Sequence, residues 1–439
     1  MRATLGLTLV TFPLAVCAQP PRVVALEESK LREYVGAYAW PDGSFLYLQL
    51  WSEFTGTNQL VAYDETGEAR ALYPIGPDQF FAGPGVGIAT ALEARVEFQR
   101  DRDSRITSVA WRRTSSPPRF ARRLQTERRE DVQFSNGEVR LAATLLRPNT
   151  TARVPAVILV HGSGPEDREY ILPLARFLVR RGVAVLGYDK RGVGGSTGNW
   201  RTASFDDLAG DVVAAYEQLK TRNDIDHAHI GLLGWSQAGW IMPLAAVRAK
   251  DIAFLISVSG AGISPAETTI DQARNEMTAR GMQPETIDQI VALMKLQYRF
   301  ARTGQGWDDY VSAREQLVAR LGRAPDTFPG ARDDPYWEFI KRTYFYDPDP
   351  TLRQLRVPTL AIFGELDNNI VAEKNRAAWA SALSAGDTDL TLRILAKANH
   401  LMLEAKGGSN AEMPSLQRFV PAYANTVLEW LAKRIPIAQ

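Results

Sequence analysis

The chain has 439 residues, 45% of them apolar and 23% charged, which is enough to bury a large core and long enough for two domains. Its 51 Lys and Arg balance 50 Asp and Glu, leaving a formal charge of +1 that excludes a global attraction to nucleic acid or an anionic membrane. Cys17 is the single cysteine, which excludes an internal disulfide framework and a thiolate metal cluster.

Met1-Arg2, an apolar run from Ala3 to Ala15 and the small residues of Val16-Cys17-Ala18 have the form of a cleaved secretory signal. Cleavage is expected after Ala18, giving a secreted or periplasmic protein whose mature chain has no cysteine. Leu14-Ala15-Val16-Cys17 offers an alternative, lipid attachment at Cys17, although Val16 is bulky for that position. The apolar run is short for a transmembrane span and no later stretch is long enough, so no transmembrane segment is expected.

Residues 19–117 read as a β-rich module. Short runs with partial alternation, Phe45–Trp51, Leu60–Tyr63, Arg95–Gln99 and Ile106–Trp111, are separated by turn signals such as Pro41-Asp42-Gly43 and Gly83-Pro84-Gly85. This spacing predicts a small antiparallel barrel or sandwich. The arginines at 112, 113, 119, 122, 123, 128 and 129 read as a solvated interdomain connector.

Residues 118–439 have a different period. Val132–Phe134 and Val139–Leu145 flank Ser135-Asn136-Gly137, which predicts a hairpin with a type I′ turn. Continuous apolar runs follow at Val154–Val160, Val183–Gly187, Ile230–Leu233, Phe254–Val258, Leu360–Phe363 and Leu390–Leu395. They alternate with helical stretches at Ile171–Arg181, Asp206–Arg222, Ser236–Lys250, Val371–Leu383 and Phe419–Arg434. Strands buried on both faces and alternating with helices predict a mostly parallel sheet flanked by helices. Residues 264–347 lack strand-like runs, are rich in helix formers and aromatics, and are expected to form a helical lid.

The chemistry centres on Gly234-Trp235-Ser236-Gln237-Ala238-Gly239, between a buried strand and a helix. Small residues around a serine in such a turn allow the strained backbone of a nucleophile elbow. A serine hydroxyl needs a base, a group to orient that base, and donors for the oxyanion. Of four histidines, His227 and His229 lie at the far end of the elbow strand, and His161 ends another strand as a scaffold residue. His400, in the loop after the last strand, is the base. Asp367, after the strand Leu360–Phe363, is the orienting acid, with Glu365 as local competitor. The oxyanion donors are the backbone N–H groups of Gln237 and Ser163, with Gly162 as the alternative to Ser163.

His161-Gly162-Ser163-Gly164-Pro165, Tyr188-Asp189-Lys190-Arg191-Gly192-x-Gly194-x-Ser196, Gly234-x-Ser236-Gln237-Ala238-Gly239, Gly364-x-x-Asp367 and Asn399-His400 stand in the order of α/β-hydrolases. From Asp131 onward the chain resembles bacterial carboxylesterases related to the serine aminopeptidase and dienelactone hydrolase branches. Ala238 departs from the usual glycine of the elbow. Tyr34-Val35-Gly36-x-Tyr38 with Asp42-Gly43 resembles the opening of small β-barrel modules fused to bacterial serine hydrolases. The resemblance implies an α/β-hydrolase fold, a Ser236–His400–Asp367 triad and a small-molecule ester substrate, with Asp189 and Arg191 in a structural turn. No metal or organic cofactor and no nucleic-acid partner are expected. The alternatives are a serine peptidase using the same triad, in which Glu166 and Asp167 would hold a peptide amino terminus, and a non-catalytic ligand-binding protein.

Overall fold

The computed structural model describes residues 21–51, 59–113, 116–125, 127–169, 175–322, 327–384 and 388–437. The expected signal segment, including Cys17, lies outside them.

A short helix α1 (Glu28–Tyr34) leads into β1 (Gly36–Ala39), β2 (Phe45–Trp51), β3 (Gln59–Asp64), β4 (Ala69–Gly76), β5 (Gln79–Ala82), β6 (Ala94–Arg100), β7 (Ile106–Arg113) and β8 (Arg119–Arg123). These eight strands close into an antiparallel barrel, β1 pairing with β8 through Tyr38 and Arg123. Leu46, Leu48, Leu50, Leu60, Leu72, Phe80 and Val96 fill its interior. On β2, β3, β4 and β5 the opposite face is buried too, through Tyr47, Val61, Tyr63, Tyr73 and Phe81, which explains why alternation in the sequence is only partial.

The arginine-rich stretch is not a connector, although most of its arginines are exposed as expected. It runs through β7, β8 and the first strand of the second sheet, and β8 closes the barrel beyond the boundary expected at residue 117. Arg123 donates to the Glu33 and Val35 carbonyls, Arg119 lies over the Trp40 ring, and Arg129 pairs with the buried Glu169. These guanidinium groups reach partners far away in the chain, a pattern that linear charge density does not reveal.

The second sheet is built from β9 (Glu127–Asn136), β10 (Val139–Pro148), β11 (Val154–Val160), β12 (Ala184–Tyr188), β13 (Ile225–Trp235), β14 (Leu255–Val258), β15 (Thr359–Gly364) and β16 (Leu390–Leu395). Its order is β16-β15-β14-β13-β11-β12-β10-β9, parallel from β16 to β12 and antiparallel at β10 and β9. Asn136 pairs with Val139, and positive φ in the hairpin is confined to Gly137, the first of the two central residues. That is the φ pattern of a type II′ turn; the type I′ turn expected from sequence would need two positive values.

Helices α2 (Ala175–Val179), α3 (Phe205–Lys220), α4 (Ala238–Arg248), α10 (Ala372–Ser384) and α11 (Pro421–Ala432) cover the sheet. A capping box between Ser204 and Asp207 starts α3. Between β14 and β15 come α5 (Pro265–Ala279), α6 (Pro284–Thr303), α7 (Trp307–Leu321), α8 (Tyr336–Thr343) and the short α9 (Asp349–Leu352). The insertion has a core of its own, in which Tyr298, Phe300, Tyr310, Trp337 and Ile340 pack together. No helix among the described residues is long and apolar enough to cross a membrane.

The barrel shares a core with the second unit. Tyr47, Tyr63, Tyr73 and Phe81 belong to one apolar cluster with Leu159, Ile256, Ile362, Tyr423 and Trp430. Backbone bonds reinforce the join: Ala69 N–H to Gln417 O (3.0 Å), Phe419 N–H to Gly67 O (2.8 Å) and Val86 N–H to Leu416 O (2.7 Å).

Candidate active site

The parallel strands deliver their carboxyl ends to one edge of the sheet. Gly234 is in register with Val160 and Ser257, and Gly364 with Leu395, so the segments after β11, β13, β15 and β16 emerge together. All five residues singled out from sequence lie there.

Ser236 occupies the turn between β13 and α4 with φ +54°, a left-handed conformation that side chains other than glycine rarely adopt. Its N–H bonds Val258 O (3.1 Å), and its carbonyl accepts from Gly239 N–H (2.9 Å). The small neighbours are required by space. A Cβ on Gly234 would stand 2.5 Å from the Ala238 Cβ, and one on Gly239 would stand 2.5 Å from Ala261 N. Ala238 is fully buried in this contact.

His400 and Asp367 are hydrogen-bonded. His400 Nδ1 lies 2.9 Å from Asp367 Oδ2 and 3.1 Å from Oδ1. The buried carboxylate is held by Asn369 N–H and Ile370 N–H, both 2.8 Å from Oδ1. Glu365, the competitor, is exposed and accepts instead from Lys397 N–H (2.8 Å). The His400 loop is tightened by buried Asn399, whose Oδ1 accepts from Leu401 N–H (3.0 Å) and Leu403 N–H (2.9 Å).

His161 is fully enclosed, with Nε2 2.6 Å from Tyr188 O, so the ring donates there. Burial, aided by the charge of Lys190, pushes its imidazolium down to about 3 and keeps the ring neutral. His227 and His229 sit at the start of β13, bonded to Arg222 O and Asp226.

Two residues take places that the sequence did not reveal. Glu166, offered above for a peptide amino terminus, is buried, and its Oε2 accepts from Gly162 N–H (2.8 Å). Lys190 is buried beneath the Gly162–Gly164 loop, with Nζ donating to Gly162 O (2.7 Å), Gly164 O (3.0 Å) and Gln237 Oε1 (3.0 Å). It therefore ties the Ser163 loop to Gln237 at the head of α4. Burial pulls its ammonium down to about 8, against the opposing effect of Glu166. The available signal was a charged run, Asp189-Lys190-Arg191, directly after a wholly apolar strand. Asp189 and Arg191 are spent on structure, Asp189 with Arg168 (3.0 Å) and Arg191 with Asp211 (2.6 Å).

The sheet order, the turn at Ser236 and the Asp367–His400 pair are those of an α/β-hydrolase. Residues 152–406, more than half of the chain, match the family model described as serine aminopeptidase, S33, and the chain belongs to that family. It is similar to Esterase EstD of Thermotoga maritima, 26% identical over 270 residues that cover 60% of this chain and 58% of that protein. It also matches the quorum-quenching protein AidA of Acinetobacter baumannii, 30% identical over 128 residues, covering 29% of this chain and 42% of that protein. The chain thus spans about half the length of these relatives. Among solved structures, an esterase of Pyrococcus furiosus is 18% identical with a TM-score of 0.47, covering 70% of this chain and 92% of that one. A dienelactone hydrolase of Anabaena variabilis is 19% identical with a TM-score of 0.40, covering 71% and 100%. The matched family region excludes the barrel.

Proposed function

We propose that this protein is a serine esterase that cleaves small carboxylic esters through an acyl-enzyme. The observation that carries the reading is the conjunction of Ser236, in its left-handed turn, with the Asp367–His400 pair at one sheet edge. With Nδ1 donating to Asp367, the neutral His400 ring presents Nε2 as an acceptor, the tautomer needed to take the Ser236 proton. Ser236 Oγ attacks the acyl carbon, and His400 then protonates the leaving alcohol. Water, deprotonated by His400, releases the acid. Gln237 N–H is one oxyanion donor. Gly162 N–H is engaged by Glu166, so Ser163 N–H is the second. The insertion acts as the lid that selects the acyl group. Its α5 reaches the segment after Asp367, where Gln272 bonds Asn369 (3.1 Å) and Asn275 bonds Asn368 O (3.3 Å).

The same reading divides the chain into a barrel module and a catalytic unit, exported after removal of residues 1–18. N-terminal sequencing of the mature protein checks the export, with Gln19 expected first.

Hydrolysis of p-nitrophenyl acetate and butyrate, with Ser236→Ala as control, tests the chemistry. Turnover is expected in the parent protein alone, with a fluorophosphonate labelling Ser236. Equal turnover by both proteins would sink the triad. Release of a peptide chromophore without ester turnover would favour a peptidase. Binding without turnover of either substrate would favour a ligand-binding protein.

A further inference from the structure

We propose that Lys190 is a positioning residue for the oxyanion hole, holding the Ser163 amide and Gln237 in one rigid unit. The inference rests on the esterase reading above. The Gly162 carbonyl that accepts from Lys190 Nζ at 2.7 Å and the Ser163 N–H belong to the same peptide group. A trans peptide is planar and its C=O and N–H point in opposite directions. Anchoring the carbonyl inward on a buried ammonium therefore turns the Ser163 N–H away from Lys190. The cation also polarises that amide and strengthens its N–H as a donor. The second bond, to Gly164 O at 3.0 Å, holds the loop on the far side of Ser163. The third, to Gln237 Oε1 at 3.0 Å, joins the loop to the residue carrying the other oxyanion donor. Three acceptors satisfy the three protons of an ammonium, so a neutral amine must give up one of these bonds.

Glu166 and neutral His161 face Lys190 from the loop, and the Trp200 ring lies 5.8 Å away. Asp189 and Arg191, its chain neighbours, are paired with Arg168 and Asp211. With burial holding the ammonium near 8, the link loosens as pH rises through that value.

The test is kcat and KM for p-nitrophenyl butyrate from pH 6 to 10, corrected for spontaneous hydrolysis. It compares the parent protein, Lys190→Met, Glu166→Gln and Ser236→Ala. Lys190→Met is expected to lower kcat about tenfold to a hundredfold with KM changed less than about threefold. The parent profile is expected to fall above about pH 8, and this limb should be missing from Lys190→Met. Glu166→Gln removes the anion that favours the ammonium while keeping an oxygen for Gly162 N–H, so its limb should move to lower pH. That arm and the parent profile remain decisive if Lys190→Met does not fold. Parent-like kcat and limb in folded Lys190→Met, or a limb that Glu166→Gln does not move, overturns the inference. Turnover by Ser236→Ala would instead overturn the triad reading beneath it.

Discussion

Ser236 carries its side chain at φ +54°, where Cβ crowds the backbone, and surrounding bonds hold it there. Neither Ser236→Ala nor Ser236→Gly can act as a nucleophile, but only glycine relieves the crowding. Ser236→Gly is expected to be more stable than Ser236→Ala by about 1 kcal/mol, measured by urea unfolding. His161 stores a different cost. In the unfolded chain an imidazole takes a proton near the ordinary value of about 6.5, whereas in the fold it stays neutral down to about 3. Between those values the unfolded state binds the extra proton, so this residue's contribution is present above about pH 6.5 and is lost as pH falls. The slope is up to about 1.4 kcal/mol per pH unit. Unfolding midpoints from pH 7 to 5 should therefore fall more steeply for the parent protein than for His161→Gln.

At the scale of elements, helix α5 ties the insertion to the site with polar groups. The half-buried edge of this helix presents Glu276, whose carboxylate accepts from Asn410 N–H (3.0 Å), Ser409 Oγ (3.2 Å) and Asn368 Nδ2 (3.4 Å). Glu276→Ala leaves these donors without that acceptor and is expected to cost about 1–3 kcal/mol. Thermal melting measures the loss, and proteolysis of the insertion should accelerate before the rest of the chain is cut. The aromatics of the insertion mostly pack on each other, Phe300 on Trp337 at 4.8 Å and Tyr310 on Trp337 at 5.2 Å. Their abundance in the sequence therefore reflects a local core more than a substrate surface.

For the whole molecule, the barrel and the hydrolase unit are parts of one packed body. The segment 416–420 receives backbone bonds from the barrel and returns them to the His400 loop, Val420 N–H to Met402 O and Glu404 N–H to Arg418 O, both 2.8 Å. Two units sharing one apolar cluster cannot melt independently without exposing it. Calorimetry should give one cooperative transition, and a chain lacking residues 21–125 should be insoluble or unfolded. Gly67 is a point of close approach, with φ +88° and a Cβ position 2.7 Å from Phe419 O. Gly67→Val is expected to destabilise the join by about 1–3 kcal/mol or more and to lower kcat as the His400 loop shifts. Melting and turnover on p-nitrophenyl butyrate check the two effects.

The class of fold and the positions on which the proposed chemistry rests were legible in the order of residues alone. Buried parallel strands need continuous apolar runs, and a sharp strand-to-helix turn needs small residues, so both leave local marks around Ser236. Chain order and the scarcity of histidines carried the reading to Asp367 and His400. Closure of the barrel was not legible, because β4, β5 and β8 are recognisable only by the partners that cover them. Nor did linear charge show that Glu166 and Lys190 are both buried against one glycine loop, or that the arginines near residue 120 lie on strands. Burial and pairing across long sequence separations are properties of the packed chain. They decide which charges solvate a surface and which ones hold a site in shape.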